Sequence, residues 1–295
     1  MKFKENKDIF HSGSYRVLYG FIIICLLLSS GSLLHGVEKE GKAPVPEVDA
    51  WAAVYALLQA YGDFIESVEF EGGETVLIIR GKRLYYAGGR MLSEAHRNQA
   101  SSFDPIFYPY HTGPLTELPE ASCYPVKRSS DFLDALIGSS EMEIRASCLW
   151  VPFLGRKAFV HRMAAGPLKM VEARILREAR TSRPVAQYIE NIRMLFSLSR
   201  RKVSGTSNMS YHGYGLAIDI IPKGYGGKHV YWRWSSAFDP GWDRIPLEKR
   251  WHPPLEVIEA FEENGFVWGG KWYHFDGVHF EYRPEIILLA RTGVK

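Results

Sequence analysis

The residues best suited to chemistry lie in two short stretches, Ser210-Tyr211-His212-Gly213-Tyr214-Gly215-Leu216-Ala217-Ile218-Asp219 and Asp276-Gly277-Val278-His279-Phe280-Glu281. The first offers an imidazole and a carboxylate seven positions apart; the second offers a carboxylate three positions ahead of another imidazole. Two His and one Asp suffice to hold a zinc ion and leave a fourth position open for water, the arrangement of catalytic zinc sites. On that reading His212, Asp219 and His279 are the ligands. Asp276 lies near the ion without being needed in its shell, so it is placed to take the proton of a zinc-activated water during attack on a carbonyl; a turn-capping Asp before Gly277 is the plainer alternative.

Each ligand needs an element to aim it. The residues around Asp219, from Leu216 to Ile221, are apolar and β-prone. They predict a strand with Ala217 on the face of Asp219 and Leu216, Ile218 and Ile220 on the other. Gly213 and Gly215 let the backbone turn so that His212, outside the strand, points back toward Asp219. The same alternation puts His279 and Glu281 on one face of a second strand and Phe280 in the core. Antiparallel neighbours would bring the three ligands together. Ser210 and Glu281 are expected either to orient the ligand imidazoles or to make ordinary hydrogen bonds. Of the ten histidines, His229, His252 and His274 lie near the motifs; His274 is the nearest competitor to His212 as a ligand.

The pattern S-x-H-x-x-G-x-A-x-D followed by D-x-x-H-F-E resembles the zinc D-Ala-D-Ala carboxypeptidase and L-alanyl-D-glutamate endopeptidase family, which trims peptidoglycan stem peptides. The resemblance runs from about Trp150 to Arg283 and includes Phe266-Val267-Trp268-Gly269-Gly270-Lys271-Trp272. It implies Zn2+ as cofactor, Asp276 as general base and stem peptides as substrate. Arg201 resembles the family arginine that precedes the first motif and would bind a substrate carbonyl or carboxylate, with Arg200 and Arg193 as competitors and a solvated basic helix end as the plain alternative. The first reading of the activity is D-alanyl-D-alanine carboxypeptidase. The alternatives are an endopeptidase of the same family, or a wall-binding module that turns nothing over. Trp268, Trp272 and Tyr273 would line the cleft or fill the core.

Composition agrees with a globular protein: of 295 residues, 46% are hydrophobic and 23% charged, and the net charge of +3 calls for no nucleic acid. Residues Val17 to Leu34 carry no charge and follow a basic flank, Lys2, Lys4, Lys7 and Arg16 against Glu5 and Asp8. This reads as a secretory signal or an uncleaved anchor, so the chain is expected to be exported to the periplasm or cell envelope, with the membrane touched only by that segment. In an oxidising compartment Cys123 and Cys148 would either pair or remain buried thiols.

The division expected is 1–36 signal or anchor, 37–47 linker, 48–145 an N-terminal helix, β-meander and irregular region, and 146–295 the catalytic domain. The fold expected, as the resemblance implies, is α+β: a small antiparallel sheet carrying the site, with helices beside it. The spacing predicts a first helix with Trp51, Val54, Tyr55, Leu58 and Tyr61 on its apolar face, then a meander through Val68, Phe70, Val76–Ile79 and Leu84–Tyr86. It further predicts a helix over Asp131–Ile137, a strand over Cys148–Phe153, and three helices: Phe159 to Ile175 interrupted at Pro167, Val185 to Phe196, and Leu255 to Phe261.

Overall fold

In the computed structural model, residues 49–120, 127–203 and 208–292 are described. The export segment, the linker and Cys123 lie outside them, and with Cys123 the choice between a Cys123–Cys148 pair and two thiols. Among the described residues no helix is long and apolar enough to cross a membrane.

The architecture is α+β with small antiparallel sheets. Helix α1 (Ala50–Tyr61) opens on Asp49, whose carboxylate accepts from the Ala52 N–H, and leads into β1 (Ile65–Glu71), β2 (Glu74–Ile79), β3 (Lys82–Tyr86) and the short β4 (Met91–Leu92), a meander in sequential order. The expected apolar face of α1 is corrected. Trp51, Tyr55 and Leu58 are exposed, while Ala53, Val54, Ala56, Leu57 and Tyr61 are buried. Small alanines allow close approach of the helix backbone to the core, and Trp51 instead covers Phe70 of β1 at 5.0 Å between ring centroids. Among the described residues, 93–120 and 127–130 are largely irregular, with a 3₁₀ turn at Arg97–Ser102.

Next come α2 (Asp131–Leu136), α3 (Glu141–Ala146), the hairpin β5 (Cys148–Phe153) and β6 (Arg156–His161), α4 (Arg162–Glu178) and α5 (Arg183–Asn191). Here the helical spacing misleads twice. Phe159 belongs to β6, so α4 starts only at Arg162, and it continues through Pro167. The chain also leaves helix after Asn191: Ile192–Phe196 is strand β7, paired with the next strand in the register Leu195↔Ile220 and Phe196↔Asp219. Ladder hydrogen bonds to that neighbour outweigh a 3.6-residue pattern.

That neighbour is β8 (Ala217–Pro222), followed by α6 (Trp232–Ser236), α7 (Leu255–Glu263), β9 (Phe266–Trp268), β10 (His279–Tyr282) and α8 (Pro284–Thr292). Strands β7, β8, β10 and β9 form, in that order, an antiparallel sheet. Its core side is packed by α7, where Phe280 stacks on Phe261 at 3.8 Å. The core is continuous from α1 to α8. Two buried polar networks reinforce it: Tyr61 donates to Glu285, the partner of Arg283, and Tyr110 donates to Glu262, the partner of Lys271.

Candidate metal centre

The register His279↔Asp219 sets these two side chains next to each other on one face of the sheet, as cross-strand partners must be. His212 arrives from outside, on a 3₁₀ turn at Tyr211–Tyr214 that ends at Gly215 with φ of 70°. That left-handed conformation is strained for any residue with a Cβ. At Gly215 a Cβ would also sit 2.8 Å from the Cys148 sulfur, so the turn passes too close to β5 for any side chain.

The result is a tight cluster. His212 Nε2 lies 3.0 Å and His279 Nδ1 2.7 Å from Asp219 Oδ1, and the two nitrogens are 3.2 Å apart. His212 Nδ1 is 2.7 Å from the Ser197 carbonyl, which can only accept, so in the neutral ring the proton is on Nδ1 and Nε2 offers a lone pair. His279 Nε2 is 3.1 Å from Glu281 Oε1, which likewise fixes its proton there and leaves Nδ1 free to donate electrons. With both rings neutral, three lone-pair atoms thus face one another with no proton between them, a group that a bound cation or an added proton satisfies. A tetrahedral ion with ligands at about 2.0–2.1 Å needs neighbours a little over 3 Å apart, close to the spacing seen, and the N,N,O donor set suits zinc.

The electrostatics report the same demand. Burial alone would raise the Asp219 carboxyl, but His212 and His279 override it and hold it well below the ordinary carboxylate range. Burial disfavours a charged His279, yet Asp219 and Glu281 outweigh it and push the imidazole up to about 10. In the metal-free protein a proton therefore supplies the positive charge.

Asp276 sits where β10 is entered, its backbone bridged to Tyr231 and its N–H bonded to the Gly269 carbonyl at 2.9 Å. Burial, with the charge of Asp219 nearby, raises it to about 7. Its Oδ1 is shut from solvent and has no hydrogen-bond partner among the described residues. An acceptor left bare beside a cation site is poised to receive a proton. Arg201, half exposed, brings its guanidinium within 3.8 Å of Asp219 Oδ2. Arg200 instead donates to the Ser139 carbonyl.

Other expectations resolve residue by residue. Ser210 accepts from the His212 backbone N–H at 3.3 Å and so holds the turn, not the ring. Glu281 does touch a ligand ring. His274 stacks on Trp242 at 5.4 Å, His229 contacts Ser235 and His252 contacts the Pro253 carbonyl; none belongs to the cluster. Trp268 and Trp272 are buried in the core, and Tyr273 donates to Asp243. The Ser197 carbonyl escapes sequence reasoning, because any residue provides one.

Comparison with known proteins agrees with this site. Residues 204–282 match the profile of a family described as D-alanyl-D-alanine carboxypeptidase, and residues 53–108 match a domain of unknown function. A peptidoglycan L-alanyl-D-glutamate endopeptidase, CwlK of Bacillus subtilis (strain 168), is 36% identical over 77 residues, covering 26% of this chain and 41% of that protein. The chain thus spans about two fifths of the length of this curated relative. No solved structure gives a significant match. The family profile falls on the stretch that holds His212, Asp219, Asp276 and His279, so over residues 204–282 the chain is similar to a family described as D-alanyl-D-alanine carboxypeptidase.

Proposed function

We propose that this protein is an exported zinc metallopeptidase that hydrolyses peptide bonds in peptidoglycan stem peptides. The observation that carries the reading is the convergence of His212 Nε2, Asp219 Oδ1 and His279 Nδ1, all within 4.8 Å of one another and buried. Those three side chains would hold the ion. When bound, zinc supplies a Lewis acid for the scissile carbonyl and acidifies water to near neutrality. Asp276 Oδ1 takes the proton of the attacking water and can pass it to the departing amine. Arg201 holds the carbonyl oxygen or a nearby substrate carboxylate as negative charge develops. Ser197 and Glu281 fix the two imidazole tautomers so that neither ring can swing away.

Two bonds of the stem peptide are candidates. The description of the matched family supports the terminal D-Ala–D-Ala bond, the first expectation; the Bacillus relative supports the L-Ala–D-Glu bond. Mass spectrometry of stem peptides incubated with zinc-loaded protein, with and without chelator, tests the reading. Chelator-sensitive loss of terminal D-Ala or release of L-Ala identifies the bond. Intact peptides in the presence of stoichiometric bound zinc would leave a wall-binding module.

A further inference from the structure

The stretch that follows β8 carries aromatic side chains that no step above uses. Tyr231 is bridged through its backbone to Asp276. Tyr225, edge-on to Trp251 at 5.8 Å between ring centroids, belongs to the same aromatic cluster as Tyr231. Trp234 of α6 sets its indole against both, with centroids 5.7 Å from Tyr231 and 6.5 Å from Tyr225. Even so, Trp234 is 58% exposed. Trp232 of the same helix packs against Trp242 at 5.1 Å, and the ring of His274 covers both, so α6 is braced by side chains, while the Trp234 indole rests on Tyr231 and Tyr225. On edge strand β7, Phe196, the cross-strand partner of Asp219, is 51% exposed.

A flat, rigid, exposed indole beside a hydrolytic centre fits a ligand with a flat apolar face of its own. The small methyls and carboxylates of a stem peptide have none. The pyranose rings to which stem peptides are attached do, through their axial C–H groups. Resting on the peptidase reading above, we propose that Trp234, backed by Tyr225 and Tyr231, stacks on an amino-sugar ring of the glycan strand, so that the protein acts on stem peptides still joined to sugar. The position of the indole also selects between bonds. It lies one aromatic ring from Tyr231, whose backbone pairs with Asp276. An extended chain advances at most about 3.6 Å per residue, so the lactyl group and L-Ala put the L-Ala–D-Glu bond about 7 Å from the sugar while the D-Ala–D-Ala bond is up to about 11 Å farther away. A sugar seated on Trp234 therefore favours cleavage at the sugar-proximal end.

The test compares kcat/KM on a free stem peptide and on the same peptide joined to the N-acetylglucosamine–N-acetylmuramic acid disaccharide, for zinc-loaded wild type, W234A, W234F and W51A. Wild type is expected to favour the glycan-linked substrate about fivefold or more. The ratio should fall to about one in W234A, be partly kept in W234F, and stay at the wild-type value in W51A, which removes a similarly exposed indole from α1. A ratio of one in wild type, or an unchanged ratio in W234A, overturns the proposal. The disaccharide alone, titrated into each protein and followed by NMR, gives an arm independent of turnover: saturable binding lost in W234A supports the stacking site, and no binding by wild type overturns it. If neither substrate is cut, the peptidase reading fails while that titration still decides the sugar site.

Discussion

At the scale of single residues the site is built from protons placed or withheld. Asp276 is not among the three ligand atoms, so Asp276→Asn is expected to retain zinc while kcat falls about 10²- to 10⁴-fold, measured by metal analysis beside peptide turnover. The same variant reports on stability. The folded pKa of Asp276 is raised from 3.8 to about 7, so the stability it allows is full below about pH 4 and is lost as pH rises through 7. Metal-free D276N should therefore melt higher than metal-free wild type at pH 8 and not at pH 4; equal melting at pH 8 would contradict a buried, poorly solvated carboxylate. His279 makes a second case. With its imidazole raised to about 10 it carries a proton at pH 7 that zinc must displace, so apparent zinc affinity should rise about tenfold per pH unit above 7, and Glu281→Gln should weaken it about 10- to 100-fold. Chelator-competition titrations at several pH values check both. These residues were legible in the sequence because their chemistry resides in the side chain. The Ser197 carbonyl was not, since a backbone group leaves no mark on residue type.

At the scale of elements, three features aim the ligands: the antiparallel pairing of β8 with β10, the 3₁₀ turn before β8, and the edge strand β7. Alternation of apolar and polar residues foretold the first, and two glycines foretold the second. Strand β7 was hidden, because Val185, Ile189, Ile192 and Phe196 repeat at helical spacing. What turned the last of them into strand was the open edge of β8, a partner 20 or more residues away that periodicity cannot see. The turn offers the sharper test. Gly215→Ala must adopt φ of 70° and bring its Cβ within 2.8 Å of the Cys148 sulfur and 2.9 Å of the His161 nitrogen. The conformation alone costs about 1–2 kcal/mol, before the clash. The clash is relieved only by shifting the turn that carries His212. A lower melting temperature together with weakened zinc binding is expected; wild-type values for both would show that the turn does not set the ligand.

At the scale of the whole molecule, the sheet does not stand apart from the irregular segment that follows the N-terminal meander. Tyr110 donates to Glu262 at 2.6 Å across 152 positions of sequence, the Gly113 N–H does so at 2.7 Å, and Lys271 from the 3₁₀ turn after β9 completes the group, capping the His111 carbonyl at 2.8 Å. Residue types gave no hint of this, because a Lys or Glu in an amphipathic stretch reads as solvated surface and nothing local marks it as buried. Its energetics are one-sided: removing one member of a buried ion pair costs about 3–5 kcal/mol, whereas replacing both by apolar groups is often nearly neutral. Glu262→Ala should therefore destabilise the folded chain strongly at pH 7, and the sign of its pH dependence follows from Lys271. Burial already lowers the ammonium, with Glu262 opposing that shift. Without Glu262 the folded pKa drops further below the unfolded value, the unfolded chain binds the extra proton, and stability rises with pH between the two. Thermal melts of E262A should thus recover as pH is raised from 7 toward 9.5, and the double variant E262A/K271M should recover at pH 7 as well. Equal loss in E262A and the double variant, with no recovery at high pH, would show that the contacts of Glu262 with Tyr110 and Gly113, not its compensation of a buried charge, join the two parts of the fold.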